Sequence, residues 1–178
     1  MTRETLLLHT CCGPCSTAVL EQLMPEYDVT LYFCNPNLDT ETEFTRRLTA
    51  QETVAEHFSV PLVIEPYDPQ VFSAHAVGFA SEPEGGERCK TCFTMRLESA
   101  AKLAKARGFS IFGTTLSVSP HKNADLLNEI GADAGAVYGI PYLAADFKKK
   151  DGYRRSVAIA RELQLYRQNY CGCLYSKR

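Results

Sequence analysis

Apolar residues in the first half of the chain form short runs separated by stretches of helical character. The runs at 6–8, 28–34 and 61–65 are rich in residues that favour strands. A helix-like segment follows the first run at 16–24, and apolar residues recur at helical spacing over 41–58. Two strands that are each followed by a helix, and then a third strand, predict a parallel sheet with right-handed crossovers.

The second half of the chain is less regular. Prolines and glycines in the segment 65–87 predict a helix fragment followed by an exposed loop. A helix with an apolar face is predicted from the end of that loop to about Arg107, where Gly108 stops it. The remaining predicted elements are a strand at 109–115, a short helix at 123–130, a short strand within 132–143 and a helix at 151–163.

The composition is that of an ordinary globular protein, with 45% hydrophobic and 22% charged residues in a chain of 178. This length supports one sizeable core without disulfide bonds, so we predict a single domain over residues 1–178. The sequence contains no pattern typical of a signal peptide or a bilayer-spanning segment. We therefore expect no membrane association and a cytoplasmic location, where thiols stay reduced.

Seven of the eight cysteines fall into three tight groups. The groups are Cys11, Cys12 and Cys15; Cys89 and Cys92; and Cys171 and Cys173. The first group directly follows the first predicted strand, and ligands of open α/β sheets bind at the carboxyl ends of the strands. We expect the fold to gather all three groups there. In a cytoplasmic protein, such groups indicate metal or redox chemistry rather than a disulfide framework.

The number of cysteines bears on which chemistry they perform. A thiol–disulfide oxidoreductase needs two thiols, such as Cys12 and Cys15 at the start of a helix, and a structural zinc site needs four. Seven thiols exceed either need and permit a four-iron cluster with a second metal. The alternatives are a thiol–disulfide oxidoreductase, a zinc-bearing RNA-binding module and an ATP-using enzyme. Cys34, outside the groups, is interpreted as a core thiol.

Two other residues near the predicted site are candidates for chemistry. His9 flanks the first cysteine group and could donate a proton, but a hydrogen-bonded histidine at the end of a strand fits the same position. Asp146 lies in an otherwise basic stretch and could supply an oxygen ligand to a metal. A plain surface aspartate is the simpler interpretation of Asp146.

The charge of the chain is unevenly distributed. Residues 146–178 hold nine basic and three acidic side chains, a net charge of +6, whereas the whole chain carries −2. A basic tail on an acidic body can bind phosphate or nucleic acid, and it can also be an ordinary solvated helix face. The candidate phosphate contacts are Lys148, Lys149, Lys150, Arg154 and Arg155.

Several long motifs in the chain resemble one known family, the epoxyqueuosine reductases of the QueH type. The motifs are LLLHTCCGPCS at 6–16, NPN at 35–37, RC-x-x-C-x-x-x-RL at 88–97, TTLSVSP at 114–120, DF at 146–147 and LYRQNYCGCLYS at 165–176. They occur in the family's order and span nearly the whole chain. Cys34 is the main departure, because that position is more usually aromatic in the family.

The resemblance implies a Rossmann-like α/β fold, similar to nucleotide α-hydrolase domains, with a mostly parallel sheet flanked by helices. It also implies a [4Fe-4S] cluster and an additional mononuclear iron ion. The implied reaction reduces the epoxide of epoxyqueuosine, at the wobble position in the anticodon loop of tRNA, to queuosine, with electrons from an unidentified donor. On this hypothesis the metal ligands are Cys11, Cys12, Cys89, Cys92, Cys171 and Cys173, with Asp146 and Cys15 as further candidates.

Overall fold

A parallel sheet forms the centre of the computed structural model, which describes residues 2–177. Its four strands are β1 (Glu4–Thr10), β2 (Tyr27–Phe33), β3 (Leu62–Ile64) and β4 (Ile111–Thr114). They lie in the order β3-β2-β1-β4, and each neighbouring pair runs parallel. The parallel sheet predicted from the sequence is therefore confirmed, and each of its strands overlaps a predicted apolar run.

Helices cover both faces of this sheet. Within residues 2–177 they are α1 (Gly13–Leu23), α2 (Glu41–Phe58), α3 (Pro69–Ala76), α4 (Glu87–Ala106), α5 (Ala124–Tyr138) and α6 (Gly152–Glu162). The helix predicted at 41–58 coincides with α2, and its N-cap Thr40 accepts a hydrogen bond from the N–H of Glu43. Among the described residues, no helix is both long and apolar enough to cross a bilayer.

The three leucines of β1 explain why the sheet has helices on both sides. Successive side chains of a strand point to opposite faces. Leu7 packs in the same cluster as Leu97 of α4, whereas Leu6 and Leu8 pack with Val19 of α1. All three leucines are fully buried. A continuous apolar run is typical of a central strand in a parallel sheet, where both faces are covered.

The short strand predicted within 132–143 is reduced to a single bridging residue, Tyr142, and the helix predicted at 123–130 is longer than expected. Helix α5 continues to Tyr138, and an isolated bridge between Phe112 and Tyr142 joins the following segment to the sheet. A glycine within α5 allows close packing. A Cβ atom at Gly131 would lie 2.3 Å from the ring of Tyr142, so glycine lets the returning chain pack directly on the helix.

The carboxyl ends of β1, β2 and β4 meet at one edge of the sheet. In the register, Thr10 pairs with Phe33 and His9 pairs with Thr114. The chain leaves β1 towards β2 on one side, while β4 lies on the other side. The end of β1 is therefore a topological switch point, the position at which open α/β sheets bind ligands. The first cysteine group follows β1 at this point.

Candidate metal centre

The sulfur atoms of the first cysteine group form a compact cluster. The Sγ atoms of Cys11, Cys12 and Cys15 all lie within 4.8 Å of one another. Those of Cys11 and Cys12 are 3.7 Å apart. Two thiolates bound to one tetrahedral ion at about 2.3 Å would be separated by roughly 3.8 Å. The observed spacing therefore fits thiolate ligation of a metal.

Polar side chains below the cysteines fix the turn that carries them. The hydroxyl of Ser16 lies 3.0 Å from the carbonyl oxygen of Cys12 and 2.9 Å from Oε1 of Gln51. The hydroxyl of Thr10 contacts both Ser16 and Gln51. A Cβ atom at Gly13 would lie 2.7 Å from a backbone oxygen of α2. Glycine at this position therefore lets α1 begin directly against α2.

Hydrogen bonds among the three thiols shift their pKa values in opposite directions. Bonds from the thiols of Cys12 and Cys15, followed by the charges of Lys122 and Arg96, hold the pKa of the Cys11 thiol well below its usual value. The same hydrogen bonds raise the pKa values of the Cys12 and Cys15 thiols. A thiolate within this group is therefore stabilised by its neighbours.

The other two cysteine groups approach the same region. Cys171 lines a cavity of about 280 Å³ together with two cysteines of the first group. Cys92 and Cys173 pack in one apolar cluster. Burial, and then the charge of Cys171, raise the pKa of the Cys92 thiol to about 11, and the charge of Cys171 also acts on Cys89. The central and carboxyl-terminal pairs are therefore close enough to affect one another electrostatically.

Arg96, which the sequence analysis did not single out, lies between the three groups. It is 1% exposed, and its Nη2 donates to Oδ1 of Asn35 at 2.6 Å. Burial lowers the pKa of its guanidinium, but the charges of Cys92, Cys11 and Cys171 outweigh that effect. One thiol from each group therefore interacts with a single buried cation. A sequence signal was present, because Arg96 follows Cys92 by one helical turn.

Two more cations near the thiols were also missed. Lys122, in the turn between β4 and α5, lines the cavity, and the charges of Cys171, Cys11 and Cys15 outweigh its burial and raise its pKa. Arg47 of α2 lines the same cavity and is buried. The sequence placed Lys122 just after a strand that ends at the site, which was a usable signal.

His9 joins the ends of three strands. Its Nε2–H donates to the carbonyl oxygen of Cys34 at 2.9 Å, so its Nδ1 accepts from the hydroxyl of Thr114 at 3.0 Å. Burial, with the charge of Arg96, lowers the pKa of His9 to about 3. The ring is therefore neutral and both nitrogens are engaged, which gives His9 a structural role. Cys34 itself is buried in the core cluster beneath α4.

Asp146 lies in the loop before α6, where it contacts Lys148. Its Oδ1 is 3.3 Å from the Nζ of Lys148 and accepts the backbone N–H of the same residue at 3.2 Å. The Nζ of Lys148 also donates to the carbonyl oxygens of Ser117 and Lys122, at 2.9 and 3.0 Å. A phosphate contact by Lys148, or a metal contact by Asp146, would compete with these bonds.

The other predicted phosphate contacts differ in their availability. Arg155 forms a two-pronged ion pair with Glu21, at 2.8 and 2.9 Å. Lys149, Lys150 and Arg154 are exposed. We call these three residues the α6 basic surface. Arg178, which was counted in the basic tail, lies outside the described residues.

Comparison with known proteins gives a consistent result across the chain. The family model described as Epoxyqueuosine reductase QueH matches residues 6–178. A protein of that description from Staphylococcus epidermidis is 43% identical, over 98% of this chain and 76% of the relative. A Streptococcus pyogenes relative is 41% identical, over 99% and 71%. One from Thermotoga maritima is 34% identical, over 97% and 90%.

A solved structure shares the architecture. The predicted subunit of tRNA methyltransferase from Methanocaldococcus jannaschii superimposes with a TM-score of 0.54. The match covers 88% of this chain and 76% of that one, at 16% sequence identity. A likeness at this identity concerns the fold alone. It agrees with the Rossmann-like, parallel α/β architecture that the sequence predicted.

Proposed function

This chain belongs to the epoxyqueuosine reductase QueH family, and from that premise we propose how its site works. As a family member it is an oxidoreductase of tRNA queuosine biosynthesis. We propose that it reduces the epoxide of epoxyqueuosine at the wobble position of tRNA, using a [4Fe-4S] cluster and an adjacent iron ion. The observation that supports this proposal concerns Arg96: Cys11 and Cys171 line the same cavity as its side chain, and the sulfur of Cys92 lies 3.7 Å from its Nη1.

The proposed ligands come from all three cysteine groups. They are Cys11, Cys12, Cys89, Cys92, Cys171 and Cys173, with Cys15 and Asp146 as further candidates. The donor set fits iron, since thiolates are the usual ligands of iron–sulfur clusters. Cys15 gains support because its sulfur completes the compact first group. Buried cations beside the thiols offset the negative charge that several thiolates would carry.

The reaction sets the tasks of the other residues. Conversion of the epoxide to an alkene consumes two electrons and two protons and releases the oxygen as water. The bound metal centres would supply single electrons and a Lewis acid for the departing oxygen. Arg96 and Lys122 line the cavity, and their positive charges would stabilise a departing oxygen bound there.

The α6 basic surface is our proposed tRNA contact. Tyr153 lies at the start of α6 and lines the thiol cavity, and Lys149, Lys150 and Arg154 are exposed residues within four positions of it in the sequence. An anticodon loop is recognised through its backbone shape and its unstacked bases. Exposed cations suit the phosphates of such a loop.

The arrangement of the thiols disfavours a thiol–disulfide oxidoreductase. That chemistry uses two thiols, such as the C-x-x-C pair of Cys12 and Cys15. Here a third thiol, that of Cys11, lies within 4.8 Å of both. A zinc-bearing RNA-binding module is the other alternative, because three close thiols also suit zinc.

The decisive experiment compares the wild-type protein with Cys89→Ala, both purified without oxygen. The wild type should be brown, contain iron and sulfide, and convert tRNA that carries epoxyqueuosine. Cys89→Ala should lose all three properties together. Cys34→Ala removes a thiol outside the three groups and should retain them. Retention of iron, sulfide and activity in Cys89→Ala would refute the proposal, and a colourless wild type with stoichiometric zinc would favour the zinc module.

A further inference from the structure

Arg47 of α2 is a buried residue that binds the carboxyl-terminal segment through its guanidinium group. Its Nη1 donates to the carbonyl oxygen of Cys171 at 2.9 Å, and its Nη2 donates to that of Tyr170 at 3.0 Å. Its Nε donates to Oε1 of Glu43 at 2.7 Å. All three nitrogens therefore have defined partners, and two of those partners lie at the first cysteine of the C-x-C motif.

We propose that Arg47 is the positioning residue that holds Cys171 and Cys173 at the thiol site. The proposal rests on the function proposed above only in treating those cysteines as ligands. The segment between Glu162 of α6 and Leu174 contains no helix or strand. Backbone carbonyls in such a segment lack the partners that a regular element would supply. The planar fork of a guanidinium can bind two neighbouring carbonyls at once.

Gly172, between the two cysteines, allows the backbone to approach Arg47 closely. Its φ of +120° lies in a region that residues with side chains rarely adopt. A Cβ atom there would lie 2.4 Å from Cδ2 of Leu38 and 3.0 Å from Nη1 of Arg47. The backbone of the C-x-C motif therefore approaches the guanidinium as closely as it does because the middle residue is glycine.

Two acidic residues near Arg47 also bind the carboxyl-terminal segment. We call Asp39, Glu43 and Arg47 together the cradle, and the segment that follows α6 the tail. Oε2 of Glu43 accepts the hydroxyl of Tyr166 at 2.9 Å. Oδ1 of Asp39 accepts the hydroxyl of Tyr170 at 2.6 Å, and its backbone N–H donates to the carbonyl of Gly172 at 2.9 Å. A buried ion pair is costly unless further hydrogen bonds complete it. The tail supplies those bonds to the Glu43–Arg47 pair.

The same guanidinium also faces the first cysteine group. Arg47 lines the cavity beside Cys11 and Cys171. It therefore lies at the same cavity as thiols of the amino-terminal and carboxyl-terminal groups. Lysine at this position would keep the positive charge. Its single ammonium group could not bind both tail carbonyls and Glu43 as the planar guanidinium does. Geometry and charge can therefore be tested separately.

The test measures the reactivity of each cysteine in the full-length, reduced and metal-free chain. Iodoacetamide labelling over time is mapped by mass spectrometry for wild type, Arg47→Met and Arg47→Lys. Both variants should label Cys171 and Cys173 about tenfold faster than wild type, since removal of each charged hydrogen bond weakens the seating of the tail. Labelling of Cys34 should not change. Lys102→Met, which removes an exposed positive charge on α4, is the matched control and should match wild type.

The outcomes distinguish positioning from general destabilisation. Faster labelling of every buried cysteine, or labelling of Cys171 and Cys173 at the wild-type rate, would overturn the proposal. So would full rescue by Arg47→Lys, because charge alone would then suffice. If Arg47→Met does not fold, Glu43→Gln is measured in its place and should show the same selective change, smaller in size.

Iron content, measured in the same proteins, separates this proposal from the proposed function. In one outcome, the wild type contains no iron while the Arg47 variants still label selectively. That result would leave Arg47 as a positioning residue and refute the iron centre. An iron-loaded wild type whose variants label normally would refute the role of Arg47 and leave the iron centre standing.

Discussion

The guanidinium of Arg96 lies one helical turn beyond Cys92 on α4, with its Nη1 3.7 Å from the sulfur. Asn35, at the end of β2, holds the other side of the guanidinium, and its own Nδ2 donates to the carbonyl of Thr10 at 3.1 Å. A fixed positive charge is therefore anchored to two strand ends beside the thiols. Such a charge stabilises the more reduced, more negative state of a bound metal centre.

Removal of this charge should make the centre harder to reduce. We expect Arg96→Gln to lower the reduction potential, while Arg96→Lys changes it less. A unit charge about 4 Å away contributes on the order of 4 kcal/mol at an effective dielectric constant of 20, which sets an upper scale. Anaerobic spectroelectrochemistry measures the shift, with exposed Lys102→Met of the same helix as the control. An unchanged potential in an iron-replete Arg96→Gln protein would contradict this expectation.

Acidification should destabilise the protein through His9. The pKa of His9 is about 3 in the folded protein, below the ordinary value of 6.5, so the unfolded chain binds its proton first. The stabilisation of the folded state by neutral His9 is complete above pH 6.5. It is lost as the pH falls towards 3, by up to about 1.4 kcal/mol per pH unit. Urea unfolding should be measured across this pH range. The free energy of unfolding should depend less steeply on pH for His9→Gln, whose side chain can still donate to Cys34. Equal slopes would argue against a buried neutral histidine.

Substitution of Gly172 should disturb the tail without unfolding the sheet. Alanine there would adopt an unfavourable φ and collide with Leu38. We expect Gly172→Ala to cost about 1–3 kcal/mol and to lower iron content. Gly78→Ala is the control, because a Cβ atom at Gly78 meets nothing within 4 Å. Thermal unfolding and iron analysis test the pair, and equal iron content in both variants would show that the tail tolerates a side chain.

The α6 basic surface should account for part of the salt dependence of tRNA binding. Reversal of the charges at Lys149, Lys150 and Arg154 should weaken binding and reduce the dependence of log K on log salt by about 0.7–0.9 for each phosphate that is no longer neutralised. Arg155→Gln should have a smaller effect, since Glu21 already pairs with Arg155. Titrations at several salt concentrations measure both quantities. An unchanged affinity would support the alternative of a solvated helix face.

The sequence alone predicted the features that depend on local spacing. The apolar run of β1, the periodicity of α2 and the clustering of the cysteines can each be recognised within about 20 residues. A parallel sheet followed from the alternation of strand and helix, and it placed Cys11 at a strand end. The family motifs implied the reaction class, because they span most of the chain in a fixed order.

Only the tertiary structure decided which distant residues meet. Arg47 and Cys171 are separated by 124 positions in the sequence, and nothing local connects them. Gly131 of α5 is likewise required by the ring of Tyr142, which packs on it from outside the helix. Hydrophobic periodicity in the sequence indicates which face of a helix or strand is buried. Burial of a charged side chain such as that of Arg47 depends on hydrogen-bond partners that only the complete fold brings to it.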